Sequence, residues 1–206
     1  MKILFINASP RQAGSTARAI EHMEAAVKGE GLTHERIWLG REATLSCLGC
    51  GQCKRTGACF YPDIVNTVAK KARGCDGFVF ATPVHYAGVT GMLKAVMGRL
   101  FYSAKDTFRQ KPAVAVAVGR RGGNVSALSE IEKFFTFNEM PIVSGNYWCI
   151  LHGTTPDEVD RDLEGVQTAT VAAKNLAYLV KCIDNARQSG ISPPPPVEKI
   201  RTNYIL

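Results

Sequence analysis

Short apolar segments alternate along the chain with segments of helical periodicity. Apolar runs of strand length, typical of strands buried on both faces of a parallel sheet, lie at residues 2–7, 35–39, 76–82 and 112–118. A fifth strand is predicted over residues 142–150, with a break at Gly145. Helical patterns cover residues 15–29, 62–72, 91–102, 126–137 and 157–186. Ser15 is the expected N-cap of the first helix, and the last helix is expected to be broken or bent near Gly165. This alternation predicts a doubly wound α/β domain with helices on both faces of a five-stranded parallel sheet.

The loops after the first, third and fourth strands are candidates for a ligand site, because doubly wound sheets bind ligands beyond the carboxyl ends of their strands. The first loop carries hydroxyl and cationic side chains at Ser9, Arg11, Ser15 and Thr16. It leads into a helix N-terminus, where free N–H groups and the helix dipole favour an anion. It has neither the G-x-G-x-x-G pattern of dinucleotide sites nor the lysine of a P-loop. A single terminal phosphate, such as that of FMN, is therefore predicted. The alternative is an ordinary capped helix.

The other two loops, residues 82–88 and 119–124, carry residues that suit a flavin ring. Side chains that can shape its slot, stack on it, hydrogen-bond to it or place a positive charge beside its pyrimidine edge are Pro83, His85, Tyr86 and either Arg120 or Arg121. Glycines in both loops allow the backbone to approach a ligand closely. The alternative interpretation is a solvated arginine pair and aromatic side chains that belong to a subunit interface.

Four of the seven cysteines form a C-x2-C-x2-C-x5-C motif, made of Cys47, Cys50, Cys53 and Cys59. Zinc sites usually use two C-x2-C pairs that are well separated in sequence, whereas successive x2 spacings suit an iron–sulfur cubane. Three alternatives remain open here: a [4Fe–4S] cluster, an empty or oxidised group of thiols, and zinc. The remaining cysteines lie in apolar sequence and are expected in the core; they are Cys75, Cys149 and Cys182.

The formal net charge is +7, which raises the question of an anionic partner. Lysine and arginine are dispersed and accompany no nucleic-acid motif, so an acidic protein such as an electron carrier suits the charge at least as well as nucleic acid. No segment approaches the roughly 20 apolar residues of a membrane span, and the first residues do not resemble a signal peptide. We expect a cytoplasmic protein with neither a membrane nor a nucleic-acid partner, whose odd number of cysteines serves metal or redox chemistry.

The loop motifs resemble those of the NADPH-dependent FMN reductase group, which includes quinone reductases related to flavodoxin. The resemblance rests on Ala-Ser-Pro-Arg at 8–11, Gly-Ser-Thr at 14–16 and Thr-Pro-Val at 82–84, and it extends over roughly residues 1–185. It implies a flavodoxin-like sheet of strand order 2-1-3-4-5 that binds FMN. The FMN contacts that it implies are Ser9, Arg11, Ser15, Thr16, Pro83, Val84, His85, Tyr86, Gly119, Arg121 and Gly123.

The cysteine motif resembles that of the iron–sulfur flavoproteins, a branch of the same group. This resemblance implies that Cys47, Cys50, Cys53 and Cys59 are all ligands of a [4Fe–4S] cluster that exchanges electrons with FMN. It also implies a homodimer or homotetramer in which the cluster lies near the flavin of another subunit. The chain departs from the group at His85, where Tyr is more common, at Gly98, where Asp is common, and at Pro62-Asp63, in place of an acidic pair.

The predicted organisation is a single FMN-binding domain over residues 1–190, with the cysteine loop at 46–60, followed by a proline-rich arm at 191–206. Four consecutive prolines exclude a helix or a central strand in the arm. The arm is either a flexible tail or an extension across a neighbouring subunit. The second interpretation is favoured by the apolar residues Ile200, Tyr204, Ile205 and Leu206.

The leading functional hypothesis is a flavin-dependent oxidoreductase of the iron–sulfur flavoprotein type, with a ferredoxin-type donor and a small-molecule acceptor. One alternative is a cluster-free reductase of FMN or quinones that uses NAD(P)H as its donor. Another is a non-catalytic electron carrier or regulatory protein that only holds FMN.

Overall fold

The computed structural model describes residues 1–204, which form a five-stranded parallel sheet of order β2-β1-β3-β4-β5 with helices on both faces. The strands are β1 (Lys2–Asn7), β2 (Thr33–Trp38), β3 (Gly77–Pro83), β4 (Ala113–Gly119) and β5 (Ile150–His152). The helices are α1 (Ser15–Gly29), α2 (Gln52–Thr56), α3 (Ile64–Ala72), α4 (Gly91–Ser103), α5 (Lys105–Phe108), α6 (Asn124–Phe137), α7 (Pro156–Arg161) and α8 (Leu163–Gln188). The predicted flavodoxin-like fold class is confirmed.

The alternation of Ala and Val along β4 follows from the two different layers that cover the sheet. The alanines of β4 lie in the same core cluster as the large rings of Phe80, Phe101 and Phe135, on the side of α3, α4 and α6. The valines of β4 lie in the other cluster, which includes the alanine-rich inner face of α8. Small residues on the strand therefore meet large ones on the helices, and the reverse, as close packing of both layers requires.

The strand register brings three loops to one edge of the sheet. Asn7 at the end of β1 pairs with Ala81, Pro83 at the end of β3 pairs with Val118, and Gly119 pairs with His152. Because all of these strands are parallel, the loops that follow them lie side by side.

Two local predictions were wrong. The first is the fifth strand, which is confined to Ile150–His152; Ile142 makes an isolated bridge to Ala113, because the intervening residues leave the sheet around Gly145. The predicted break of the last helix near Gly165 is confirmed: the helix divides at Asp162, whose carboxylate accepts a hydrogen bond from the Gly165 N–H at 3.1 Å and begins α8.

The second wrong prediction is the N-cap of α1. Ser15 is the first helical residue, Gly14 is the N-cap, and no side chain caps this helix. Two short helices, α2 and α5, were not predicted.

The residues beyond Gly190 form no regular secondary structure up to Tyr204, and they contact the domain itself. Arg109 donates hydrogen bonds to the carbonyls of Pro194 and Pro195 at 2.9 and 3.3 Å, and Lys199 lies over the Phe137 ring. The domain boundary and the placement of the arm on a neighbouring subunit stay predictions, and Ile205 and Leu206 lie outside the described residues. Among residues 1–204, no helix is long and apolar enough to cross a membrane.

Candidate functional site: a flavin cleft and a cysteine concavity

The loop after β1 is held in shape by side chains from both of its sides. Asn7 accepts a hydrogen bond from the Ser9 N–H at 3.0 Å, and the Ser9 hydroxyl accepts one from the Arg11 N–H at 3.1 Å. The indole of Trp38, the last residue of β2, donates to the Ser9 carbonyl at 2.7 Å. Arg41, which follows β2, donates to the Pro10 carbonyl at 2.8 Å. These bonds fix the loop before any ligand arrives.

The N-terminus of α1 faces this loop and suits a phosphate group. No side chain occupies the first turn as a cap, so its N–H groups have no intrahelical acceptor and remain available to an anion. Arg11, Ser15 and Thr16 line the same cleft. The absence of a side-chain cap, which contradicts the sequence prediction, is thus a property that a phosphate site needs.

The loop after β3 contains a tight turn in an uncommon conformation. His85 and Gly88 exchange two backbone hydrogen bonds of 2.9 Å, and the residues between them, Tyr86 and Ala87, have φ angles of 49° and 59°. Such left-handed angles are uncommon outside glycine and cluster at functional sites. Tyr86 is fully exposed at the tip of this turn.

The loop after β4 packs closely against this turn. A Cβ atom on Gly123, where φ is +90°, would lie 2.6 Å from the Cα atom of Ala87 and 3.1 Å from Val84. A Cβ atom on Gly119 would lie 2.8 Å from the Asn124 side chain. The glycines here allow two loops to touch, as well as leaving space for a ligand.

Together the loops enclose an open cleft of about 640 Å³ at the carboxyl edge of the sheet. The predicted FMN contacts that line it are Ser9, Arg11, Ser15, Thr16, Pro83, Val84, His85 and Gly119. Three others lie outside its wall: Tyr86 points to solvent, Gly123 supports the Ala87 turn, and the Arg121 carbonyl lies 3.2 Å from the Nε2 atom of His152.

Five residues outside the set that the resemblance implied also line the cleft, namely Pro10, Val118, Arg120, Gly153 and Thr154. Of the two arginines that were candidates for a positive charge beside the ring, Arg120 lines the cleft and Arg121 does not. Gly153 and Thr154 follow β5, so the parallel topology that singled out the other loops was a signal for these two as well.

The four motif cysteines line a second, apolar concavity, away from the flavin cleft. Its wall is formed by Cys47, Leu48, Cys50, Gly51, Cys53, Cys59, Phe60, Tyr61, Arg99, Tyr102 and Ser103. Gly49, Gly51 and Gly57 have φ angles of 66°, 68° and 70°, the left-handed turns that let the loop wrap around one point. Within residues 1–204, no three His, Cys, Asp or Glu side chains converge on the position of a single metal ion.

Arg99, on α4, anchors the cysteine loop to the domain. It is 1% exposed, and its Nε–H donates to the Cys59 sulfur at 3.2 Å. Its Nη atoms donate to the Asp63 carboxylate at 2.6 and 2.9 Å and to the Leu45 carbonyl at 3.3 Å. Asn66 holds the backbone of Cys59 through two further bonds of 2.9 Å.

The three remaining cysteines differ from one another. Cys75 and Cys149 are buried as predicted, and burial raises the pKa of the Cys75 thiol and raises that of Cys149 to about 12. Cys182 is exposed on α8, so its predicted place in the core was wrong. The apolar residues around it in sequence belong to the inner face of α8, whereas Cys182 lies on the outer face.

The fold and the cleft define a flavodoxin-like protein whose loops suit a flavin phosphate and ring. The family model of the NADPH-dependent FMN reductases matches residues 1–155. An iron–sulfur flavoprotein of Methanocaldococcus jannaschii is 32% identical over 191 residues, which covers 89% of this chain and 99% of that protein. An iron–sulfur flavoprotein of Methanosarcina thermophila is 27% identical over 191 residues, which covers 91% of this chain and 99% of that protein. The solved structure of an NADH:FMN oxidoreductase superposes with a TM-score of 0.65 at 17% identity, over 86% of this chain and 89% of that one.

The chain therefore belongs to the NADPH-dependent FMN reductase family and, within it, to the iron–sulfur flavoprotein branch. It is a flavin-dependent oxidoreductase, and FMN is the cofactor of its family. The cleft built from residues after β1, β3, β4 and β5 fits that cofactor.

Proposed function

We propose that this chain is an electron-transfer flavoprotein in which a [4Fe–4S] cluster, bound by Cys47, Cys50, Cys53 and Cys59, exchanges electrons with FMN in the cleft. The observation that carries the proposal is that all four cysteines line one concavity, whose inner wall includes Arg99 of the helix that begins directly after the flavin loop. Thr90, the N-cap of α4, also donates a hydrogen bond to the Ala8 carbonyl of the phosphate loop.

The chemistry of the cysteine concavity supports a multi-iron cluster more than a single ion. Zinc sites usually use two C-x2-C pairs that are well separated in sequence, whereas Cys47, Cys50 and Cys53 follow one another at successive x2 spacings. A cubane takes each thiolate at a different corner, which suits cysteines spread around an apolar hollow. The N–H groups of Gly49 and Arg99 that reach Cys47 and Cys59 at 3.4 and 3.2 Å supply hydrogen bonds to sulfur.

In the cleft, each wall has a separate task. The N-terminus of α1, with Ser9, Ser15 and Thr16, would hold the FMN phosphate, and Arg11 would add charge to it. Pro83, Val84 and Gly119 would form the ring slot, with Arg120 placing a positive charge on the same wall. Bound FMN accepts or donates one or two electrons, which allows a one-electron centre to be coupled to two-electron chemistry.

The donor, the acceptor and the assembly are also part of the proposal. Lys54 and Arg55 are exposed on α2, between the third and fourth cysteines, and would attract an acidic ferredoxin-type donor at a rate that falls with salt. A small-molecule acceptor would react at the open cleft. A homodimer or homotetramer would bring the cysteine concavity of one subunit near the flavin cleft of another.

The decisive experiment measures FMN, iron, acid-labile sulfide and zinc in protein purified and reconstituted without oxygen. We expect one FMN and about four iron and four sulfide per chain. A Cys53→Ser variant should lose iron and sulfide but keep FMN, whereas the matched Cys182→Ser variant, altered at an exposed cysteine outside the motif, should keep all three. FMN without iron or sulfide after reconstitution would refute the cluster.

A second candidate is favoured by the family itself, whose description includes NADPH as donor. A cluster-free NAD(P)H-dependent reductase of FMN or quinones would be reduced by NAD(P)H rapidly in stopped-flow measurements. The leading proposal predicts that reduced ferredoxin reduces the flavin much faster than NAD(P)H does.

A further inference from the structure

Arg99 has a feature that neither the fold nor the flavin cleft explains. It is the largest fully buried side chain in the described part of the chain, on a helix whose other inward residues are apolar. Burying a charge is costly unless the charge is paired and hydrogen-bonded, and apolar residues of similar volume often replace such groups without loss of stability. The contacts of Arg99 therefore indicate what its charge is for.

Those contacts hold both ends of the cysteine loop. Leu45 lies before the first motif cysteine, Cys59 is the last, and Asp63 follows it as the N-cap of α3. The guanidinium also lies over the Tyr61 ring, 4.9 Å from its centre. An arginine side chain stays protonated in proteins, so the charge at this position is permanent.

Cys59 differs from the other three motif cysteines in its surroundings. Its sulfur accepts a bond from a charged N–H group at 3.2 Å, and its backbone is fixed by Asn66. Among residues 1–204, the donor to the Cys47 sulfur is the Gly49 N–H at 3.4 Å, and both Cys47 and Cys50 are exposed. One ligand position is therefore in place before the others.

We propose that Arg99 is a positioning residue of the cysteine centre, which holds Cys59 as the preorganised ligand and raises the reduction potential of the cluster. The inference rests on the proposed function, because it requires that a cluster binds. Hydrogen bonds to sulfur and local charge are the protein's means of setting cluster potentials. A cation at Cys59 stabilises the reduced cluster, which carries one more negative charge, and Asp63 opposes this effect.

Two substitutions with opposite charge effects test the inference. Arg99→Gln removes the cation and should shift the one-electron equilibrium of the cluster about tenfold towards the oxidised form, which corresponds to about 59 mV more negative. Asp63→Asn removes the opposing anion and should shift the potential in the positive direction. Asparagine caps a helix as well as aspartate does, so α3 is retained. Arg99→Lys keeps the charge but loses the planar guanidinium. Its cluster should therefore have a reduction potential close to that of the parent protein, while iron release should be faster than in the parent.

The measurements are an EPR-monitored redox titration of the cluster and the rate of iron release to a chelator. FMN content serves as the control for folding in every variant. Iron release should be several-fold faster in both Arg99 variants than in the parent protein. If Arg99→Gln does not fold, two other measurements test the inference: the sign of the shift in cluster potential in Asp63→Asn, and the rate of iron release in Arg99→Lys.

The outcomes distinguish a failure of the proposed function from a failure of the inference about Arg99. A parent protein that binds FMN but no iron would overturn the proposed function and, with it, this inference. A parent protein with a cluster whose potential and iron release do not change in the Arg99 variants would overturn the inference alone. Shifts of the same sign in Arg99→Gln and Asp63→Asn would show that the pair only supports the loop and does not act through charge.

Discussion

Replacing Gly123 with alanine tests whether the contact between the two flavin loops shapes the cleft. Gly123 has a φ of +90°, and an added Cβ would lie 2.6 Å from the Ala87 Cα, 2.9 Å from its Cβ and 3.1 Å from Val84. The nearest atom belongs to the backbone of a turn that is itself in the left-handed region, so the clash cannot be relieved by rotating a side chain. We expect the turn and Val84, which lines the cleft, to move.

The magnitude follows from two contributions. A left-handed conformation costs an alanine about 1–2 kcal/mol, and forcing an extra methyl group into a packed contact costs about 1–3 kcal/mol. The sum, about 2–5 kcal/mol, corresponds in a chain of this size to a fall in Tm on the order of 10 °C. If the substitution destabilises the FMN-bound protein by about 1.4 kcal/mol more than the apoprotein, the Kd for FMN rises tenfold.

The assay is a thermal unfolding curve of the apoprotein together with a fluorescence titration of FMN. The adjacent Gly122→Ala is the matched control, because nothing lies within 4 Å of its added Cβ, and its effect should stay within about 0.5 kcal/mol. Ala87→Gly in the Gly123→Ala background should recover part of both losses, since it removes one of the clashing atoms and the strain at Ala87. Equal Tm and equal FMN affinity in Gly122→Ala and Gly123→Ala would refute the reasoning.

Three further predictions concern single side chains. Arg11→Ala should weaken FMN binding at least tenfold, by about the 1.5–3 kcal/mol of a charged hydrogen bond, but leave riboflavin affinity within about twofold in the same titration, because riboflavin lacks the phosphate. Asn124→Ala should lower the free energy of unfolding in urea by about 2 kcal/mol, since the Asn124 amide donates to the buried carbonyls of Ala117 and Leu151. Native Cys149, with a pKa of about 12, should resist iodoacetamide at pH 8 while exposed Cys182 is alkylated, as mass spectrometry will show. Because the Cys149 thiol of the unfolded chain ionises near pH 8.5 and the native one does not, unfolding free energy should fall as pH rises above that value, and less so in Cys149→Ala.

The strands of the sheet centre could be predicted because each carries its own signal. β4 is buried along its whole length and β3 up to Thr82, so the apolar runs in the sequence coincide with them to within a residue or two. β5 could not be predicted in the same way, because only three of its residues pair with β4. Asn124 adds hydrogen bonds to the carbonyls of Ala117 and Leu151, and bonds between residues so distant leave no pattern in the local sequence.

In the cleft, the sheet topology predicts which loops form the site, but it does not predict the direction of each side chain. The loops that form it follow from the parallel sheet alone, and eight of the predicted contacts line it. Which of two adjacent arginines faces the cleft does not follow, because consecutive residues in a turn point in directions that the turn geometry sets. The link between Arg99 and Cys59 was beyond local patterns as well, although an arginine on the apolar face of a predicted helix was a visible signal that a partner was needed.

The cysteine loop is attached to the domain differently from every element around it. Between Leu39 and Val65 no residue is buried, and no side chain of α2 is buried, so hydrophobic burial contributes little to its shape. A connection of this length without a core of its own is usually functional or held by something else. Here Arg99 holds the loop at Leu45 and at Cys59, and Asn66 fixes the backbone of Cys59, while Cys47 and Cys50 between them lie exposed.

This arrangement makes the two centres energetically separable. The flavin loops are braced by the sheet and by one another, so FMN binding should survive the loss of the cysteine ligands. Under the proposed function the cluster completes the cysteine loop, because binding free energy at such a site is also folding free energy. Amide hydrogen exchange over residues 46–58 should therefore slow by orders of magnitude when iron and sulfide are incorporated, and exchange in β1, β3 and β4 should not change. Protection of the loop in iron-free protein, equal to that of the strands, would show that its fold is already complete and that the cysteines serve another purpose.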